Sequence, residues 1–390
     1  MVSKRSTARR FPTVAEQKRN GFDSLRLLFA VLVIFSHSFP LTSLGKNETE
    51  PLARLAATPL LPLDEMTLGS IAVWAFFILS GFLITKSWQR SSSTWSYLKK
   101  RFQRIYPGFI VAVSVCALIQ AIFADAGKFP LPGVANFVIH TVRLQIFDNV
   151  PIFRGNPAPD VLNGSLWSVQ YEFWCYIGIL VLGICGFLKN SRWLLSIFVV
   201  VAACHAWIDY RRWLPGGMLL GQIFGYPLFW TRVLPFFLAG MYFALNENKV
   251  ELRRSYAIAS AICLILATPF PYLPYIVYPV CGAYLLMYVA YWAPLVNLNL
   301  GRWGDFSYGT YLYAFPVQQL IIHAAKGRIG PLTLFALAAP ASVGLGALSW
   351  FFVERRFLPR STKKRHEQSS DRPRIETGSS EQAARVGTTL

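Results

Sequence analysis

The chain has 390 residues, of which 54% are hydrophobic and only 15% are charged. An average soluble domain has about 25% charged residues, so this composition excludes a disordered chain and argues against an ordinary soluble enzyme. The formal net charge of +19 is compatible either with nucleic acid or with the cytoplasmic face of a membrane. The positions of the charges distinguish these two partners.

Apolar runs long enough to cross a bilayer, about 20 residues each, follow one another along the chain. A run without charges at 255–301 is too long for one span, and Pro269, Pro271 and Pro274 predict a turn that divides it. The segment 213–231 is predicted to be an interfacial or re-entrant lead-in to the sixth span. The other predicted spans are 27–45, 66–85, 105–124, 165–188, 193–208, 231–246, 306–325 and 329–353. The count is ten.

Basic residues are concentrated on one side of this topology. With the N terminus inside, 27 of the 38 Lys and Arg residues fall on the cytoplasmic side, as the positive-inside rule requires. The sequence therefore predicts an all-α, polytopic membrane protein with about ten transmembrane helices and both termini in the cytoplasm. The basic excess then needs no nucleic acid. We expect a basic N-terminal tail at 1–20, a membrane domain at 21–358 and a disordered basic tail at 359–390.

The six cysteines lie inside apolar runs, without a CxxC pair or the spacing of zinc ligands. We interpret them as buried free thiols and expect no metal site.

His37 and Glu172 lie well inside predicted spans, where ionisable groups are costly and are therefore candidates for function. His37 and Glu172 are each about seven residues, or about 10 Å, from the outer end of their span. Their common depth favours a general-base pair in which the carboxylate orients the imidazole. A buried structural hydrogen bond is the alternative interpretation.

Basic residues mark the inner ends of two spans. Arg26 precedes His37 by eleven residues, about 16 Å along one helix. Arg101 and Arg104 share a helix face, and such a fork suits phosphate. Snorkelling anchors at a cytoplasmic helix end are the alternative. Ser80 and Gly81 permit close approach of a helix or a ligand.

Six motifs in order resemble the membrane acyltransferase 3 family over about residues 21–358. The pattern R-x10-H matches Arg26 and His37, and W-S/T-x-x-x-E matches Trp167 to Glu172. The remaining matches are FFILSGFLI at 76–84, RFQRIYP at 101–107, SYGTYL at 307–312 and FVER at 352–355. One departure is Ala314, which stands where many members carry histidine in a Y-L-x-H-F-P stretch.

The resemblance implies a ten-helix enzyme of the bacterial inner membrane. Such an enzyme takes an acyl group, most often acetyl, from cytoplasmic acyl-CoA and places it on a hydroxyl of a glycan or lipid-linked oligosaccharide beyond the membrane. Acyl-CoA is then a co-substrate, and no bound cofactor is expected. Carried onto this sequence, the resemblance makes His37 and Glu172 catalytic. It assigns acyl-CoA binding to Arg26, Arg101, Arg104, Ser80 and Tyr308.

Two other functions stay open from the sequence. A multi-pass transporter or flippase for a glycan or lipid would use the same polar layer as a path, although no internal repeat is evident. A membrane sensor could use the basic tail to dock an acidic partner. The sequence does not name the acceptor, with exopolysaccharide or its lipid-linked unit favoured. It does not choose between acetyl and succinyl, or between His37 as base and as acyl carrier.

Overall fold

Helices make up most of the part of the chain that the structure describes. The computed structural model describes residues 8–10, 20–42, 49–56, 66–123, 134–145, 152–211, 218–270 and 273–358. The predicted tail at 359–390 and most of the tail at 1–20 lie outside these ranges. Within them, strand β1 (Ala8–Arg10) pairs antiparallel with β2 (Glu251–Arg253), so the all-α prediction omits one small strand pair.

Each predicted apolar run contains a helix, and further short helices lie between the runs. In the first half they are α1 (Phe22–Thr42), α2 (Pro51–Ala56), α3 (Leu68–Gln89), α4 (Thr94–Phe123), α5 (Val134–Val142), α6 (Trp167–Ile184) and α7 (Arg192–Arg211). In the second half they are α8 (Met218–Phe224), α9 (Pro227–Leu245), α10 (Arg254–Ala267), α11 (Leu273–Val277), α12 (Ala283–Ala290), α13 (Ala293–Leu298), α14 (Ser307–Ala324), α15 (Pro331–Ser349) and α16 (Arg355–Phe357). A π-helix at Tyr278–Gly282 joins α11 to α12, and another at Trp350–Glu354 joins α15 to α16. Short 3₁₀ helices lie at Gly164–Leu166, Phe187–Lys189 and Leu300–Trp303.

Local signals explain several of these boundaries. The N–H of Phe22 donates to Asn20 at the start of α1 (3.0 Å), and Thr67 caps α3 by accepting from the N–H of Ser70 (3.0 Å). The predicted turn is confirmed, because α10 ends at Ala267 and α11 begins at Leu273, with Pro269 after the end of α10.

Seven helical segments in the described ranges are long and apolar enough to cross a membrane. They are Phe22–Thr42, Leu68–Gln89, Thr94–Phe123, Gly164–Ile184, Gly221–Leu245, Leu273–Ala290 and Pro331–Phe357. Arg192–Ile208 and Arg254–Ala267 are shorter apolar helices. The architecture is that of a helical, multi-pass membrane protein. The count of ten spans and the cytoplasmic location of both termini stay predictions.

Helix α3 lies at the centre of the bundle, antiparallel to α1 and packed closely on α9. The rings of Phe22 and Phe82 lie 5.6 Å apart, which brings the start of α1 beside the second half of α3. Gly81 faces the carbonyl of Phe237, and Gly240 faces the carbonyl of Ile78. A Cβ at either glycine would overlap backbone of the opposite helix. Close approach of the two backbones thus explains the small residue after Ser80.

The interpretation of all six cysteines as buried is wrong. Cys116 and Cys175 are buried, but Cys185, Cys204 and Cys263 are exposed, and Cys281 is intermediate. The exposed thiols lie on helices or at their ends with their side chains outward, a position that an apolar run alone does not reveal.

Candidate active site

Two ends of the bundle carry the polar residues of the candidate site. We call the end where α1 begins the arginine end, after Arg26, Arg101 and Arg104. We call the region around His37, on the later part of the same helix, the histidine end. Both residues of the R-x10-H pattern lie within α1, so about 16 Å of helix separates the two groups.

Asp305 joins two arginines at the arginine end. Its Oδ2 accepts from Nη1 of Arg26 (2.9 Å) and from Nη2 of Arg104 (2.5 Å). Its Oδ1 accepts from the hydroxyl of Ser307 and from the N–H of Ser307 (3.2 Å). Burial alone would raise the pKa of Asp305, but Arg104 and Arg26 lower it to about 2. The carboxylate is therefore charged at neutral pH.

A second carboxylate, Glu354, extends this network. Its Oε2 lies 3.4 Å from Nη1 of Arg104, and its Oε1 accepts from the hydroxyl of Ser349 (2.9 Å). The guanidinium of Arg104 also lies over the ring of Tyr308, 5.4 Å from its centroid. Two arginines and two carboxylates thus form one connected network. Arg26 and Arg104, expected to be open to phosphate, are both paired with carboxylates.

Arg101 differs from the other two arginines. It has no carboxylate partner among the residues described, and its Nε is buried without a hydrogen bond. Its Nη2 donates to Ser87 (3.3 Å), and its guanidinium lies 5.7 Å from the ring centroid of Tyr176. Of the three arginines, Arg101 is therefore the one whose charge no described carboxylate balances.

Glu172 lies between the two ends and accepts two hydroxyl hydrogen bonds through Oε1. Ser80 donates at 2.5 Å and Tyr176 donates at 2.6 Å. Tyr176 lies one turn further along α6, and Ser80 directly precedes the glycine that contacts α9. The close α3–α9 crossing therefore fixes one of the two donors to this carboxylate.

A narrow cavity of about 60 Å³ connects these groups. Arg26, Arg104 and Tyr308 line it at the arginine end, and Glu172 and Tyr176 line it along α6. Ser168 and Tyr311 line it toward the histidine end. Ser168 and Tyr176 are eight residues apart on α6, so the cavity follows that helix for about 12 Å.

His37 lies beyond the last residues of this cavity, among neutral groups. Its Nδ1 is 3.5 Å from the hydroxyl of Ser165, and its ring meets Phe315 edge-on, with centroids 5.5 Å apart. Tyr311 donates to the carbonyl of Ser165 (2.5 Å), and its hydroxyl lies 2.7 Å from that of Ser168. Tyr311 thus links the cavity to the residue beside His37.

The predicted contact between His37 and Glu172 is wrong. His37 lies beside Ser165, which precedes Glu172 by seven residues, about 10 Å along the helix. The prediction took Ser165 as the outer surface end of its span. The structure instead buries Ser165 and Asn163, and Ile152 and Phe153 before them are buried as well. The start of α6 therefore lies below the surface of the bundle, and Glu172 lies correspondingly deeper.

Sequence reasoning missed Asp305 and the contacts of Glu354, Tyr176 and Tyr311. The signal for the two acids is present in the sequence, because Asp305 and Glu354 are the only acidic residues between 255 and 357. Ala314, which replaces the histidine of many family members, is fully buried and packs with Ile34 and Phe315. An apolar core fills that position here.

The helical bundle, with a buried arginine–carboxylate network and a histidine on one helix, defines a multi-pass membrane protein with an internal polar site. The chain belongs to the membrane acyltransferase 3 family, since the family model described as an acyltransferase domain matches residues 19–351.

Three curated proteins show the range of relatives. An "O-acetyl transferase" of Shigella phage Sf6 is 31% identical over 371 residues, covering 89% of this chain and 98% of that protein. "Nodulation protein 10" of Rhizobium leguminosarum bv. viciae is 28% identical, covering 86% and 92%. "Peptidoglycan O-acetyltransferase OatA" of Listeria monocytogenes is 25% identical, covering 73% of this chain and 51% of that protein. No solved structure matches significantly.

Proposed function

We propose that this protein is an O-acetyltransferase of the bacterial inner membrane. It moves an acetyl group from cytoplasmic acyl-CoA to a hydroxyl of a cell-surface glycan or its lipid-linked precursor, with exopolysaccharide as the favoured acceptor. Family membership supports acyl transfer, and relatives named for O-acetyl transfer support the acetyl group. The positive-inside distribution supports an arginine end that faces the cytoplasm.

The observation that carries the proposal is the cavity between the arginine end and the surroundings of His37. It passes Arg26, Arg104 and Glu172 and reaches Ser168 and Tyr311. The extended pantetheine arm of an acyl-CoA is comparable in length to the distance from Arg26 to His37, about 16 Å. A donor that enters at the arginine end would therefore bring its thioester near His37. The cavity, about 60 Å³ here, has to widen to admit the arm.

In the proposed reaction, His37 removes the proton of the acceptor hydroxyl as its oxygen attacks the thioester carbonyl. The new C–O bond forms, the C–S bond breaks, and the thiolate of CoA leaves and takes a proton. Because Glu172 accepts from Ser80 and Tyr176, its role is to hold these two hydroxyls along the donor path. It is then a positioning residue, and His37 is the catalytic one.

The test uses membranes that contain the full chain, acetyl-labelled acetyl-CoA and the host glycan pool. We expect label in carbohydrate with the wild type and a loss of about 10²- to 10⁴-fold with His37→Asn. His323→Asn is the matched control, because His323 lies at the end of α14 with its ring against Phe123 and Phe153. It should transfer like the wild type.

Each other outcome has a defined meaning. Equal transfer by the wild type and His37→Asn would remove His37 from the chemistry. Glycan translocation by the wild type without consumption of any thioester would favour the transporter alternative and overturn the proposal.

A further inference from the structure

A second cavity, of about 480 Å³, opens at the arginine end. The turn between α3 and α4, residues 91–94, forms one wall. The end of α6 and the following 3₁₀ helix form the other wall, with Gly183 and Lys189. A volume of this size is within the range of about 300–1,000 Å³ that is usual for small-molecule sites.

The lining of this cavity suits an anionic ligand that makes hydrogen bonds. It contains four consecutive hydroxyl residues, Ser91 to Thr94, and the cation Lys189, and no acidic residue. No carboxylate pairs with Lys189 within the described ranges. Ser92 is exposed and makes no hydrogen bond there. Polar groups therefore face the cavity without partners of opposite charge.

Arg101 contacts residues beside both cavities. Its guanidinium donates to Ser87, whose carbonyl accepts from the hydroxyl of Ser91 on the cavity wall (2.7 Å). It also lies against Tyr176, which lines the first cavity. Along α6, Tyr176 and Gly183 are seven residues apart, about 10 Å. The two cavities and Arg101 thus lie in sequence along α6.

We propose that the second cavity binds the nucleotide end of the acyl-CoA donor, the adenosine that carries the 3′-phosphate. Lys189 and the hydroxyls at 91–94 then contact the nucleotide and its phosphate, and Arg101 contacts the pyrophosphate between the two cavities. The pantetheine arm continues past Tyr176 into the first cavity. This inference rests on the proposed function for the identity of the donor.

The first experiment measures binding alone, with adenosine 3′,5′-bisphosphate as the probe and the detergent-purified full chain. Ser92→Trp fills the cavity without removing a hydrogen bond, and Lys189→Gln removes its cation. We expect the wild type to bind the probe, Ser92→Trp to weaken binding at least about tenfold, and Lys189→Gln to weaken it about three- to fivefold.

Two matched controls lie in the loop after α9, at the same end of the bundle but outside the cavity lining. Asn248→Trp and Lys249→Gln make the same changes at exposed positions. They should bind the probe like the wild type. Absence of binding by the wild type, or equal weakening in the variants and their controls, would overturn the proposal.

The second experiment compares acetyl-CoA with acetyl-pantetheine, which lacks the nucleotide. Ser92→Trp and Lys189→Gln should raise KM for acetyl-CoA by the same factors and leave KM for acetyl-pantetheine unchanged. An equal rise for both donors would overturn the nucleotide site. A third outcome separates the two proposals. If the wild type binds the probe, Ser92→Trp abolishes that binding, and the wild type transfers from neither thioester, the nucleotide site is supported and only the proposed function is overturned.

Discussion

At the arginine end, polar side chains are held by full charges, whereas at the histidine end the imidazole of His37 itself contacts neutral groups. Arg26, Arg104, Asp305 and Glu354 form a network of alternating charge. Around His37 the polar neighbours are Ser165 and, one step further, Tyr311 and Ser168. Removal of one partner from a buried ion pair is strongly destabilising, because it leaves an uncompensated charge. The ion pairs of the arginine end therefore favour a single arrangement of its side chains. At the histidine end, the imidazole of His37 has one long polar contact, to the hydroxyl of Ser165.

Loss of Asp305, at the arginine end, should reduce stability more than any other change proposed below. Asp305→Asn removes the charge that two arginines share, and we expect a loss of about 3–5 kcal/mol in the free energy of unfolding. Thermal unfolding of the purified protein measures it. Glu251→Gln is the control, because the ion pair of Glu251 with Arg253 is about half exposed and solvent screens such pairs, so its loss should change stability little. Equal effects of the two variants would contradict a structural role for the buried network.

A double-mutant cycle of Asp305→Asn with Arg26→Gln tests whether Asp305 acts through Arg26. If Asp305 and Arg26 stabilise each other, the double variant should be less destabilised than the sum of the single variants. Additive effects would mean that Asp305 acts independently of Arg26.

The α3–α9 crossing supports both ends, and a methyl group there should disturb them together. Gly240→Ala places a Cβ on the carbonyl of Ile78, and overpacking of this kind costs roughly 1–3 kcal/mol. Because α3 also carries Ser80, transfer should fall as well. Gly178→Ala on α6 is the control, since nothing lies within 4 Å of a Cβ at that glycine. A wild-type unfolding midpoint for Gly240→Ala would contradict the close packing.

At the histidine end, removal of one hydroxyl should have a smaller effect. Tyr311→Phe deletes the donor to the carbonyl of Ser165, a loss of about 1–1.5 kcal/mol, so kcat should fall about five- to tenfold. Tyr242→Phe, at an exposed tyrosine of α9, should leave kcat unchanged. A change in thermal stability without a change in kcat would show that Tyr311 supports the fold and not the position of Ser165.

The smallest expected effect concerns pH at the arginine end. The pKa of Asp305 is lowered to about 2, so its ionic contribution to stability is fully present above the unfolded value of about 4 and is lost as pH falls toward 2. Between pH 5 and 8 Asp305 should not titrate. Unfolding midpoints of the wild type and Asp305→Asn should therefore approach each other only as pH falls from about 4 toward 2. A difference that persists unchanged down to pH 2 would contradict the assigned charge.

The sequence predicts the helical segments and the R-x10-H separation well, because both follow from hydropathy and from the fixed rise of one helix. It fails where two helices must be aligned with each other. The predicted depth of Glu172 depends on Ser165 as the surface end of its span, and the burial of Ile152 and Phe153 before α6 is a tertiary feature that hydropathy alone does not reveal. The pairing of Arg104 with Asp305 joins residues 201 positions apart, which local periodicity does not encode.

The glycine contact between α3 and α9 also limits which amino-acid substitutions this chain can accept during evolution. Positions 81 and 240 admit no side chain with a Cβ unless the two helices separate. Outward positions on α7 and α10, such as Leu195 and Ile265, are exposed, and many apolar residues suit them. A saturation mutagenesis map should therefore show two glycine positions in the bundle interior with almost no accepted substitutions, beside outer helices that accept many.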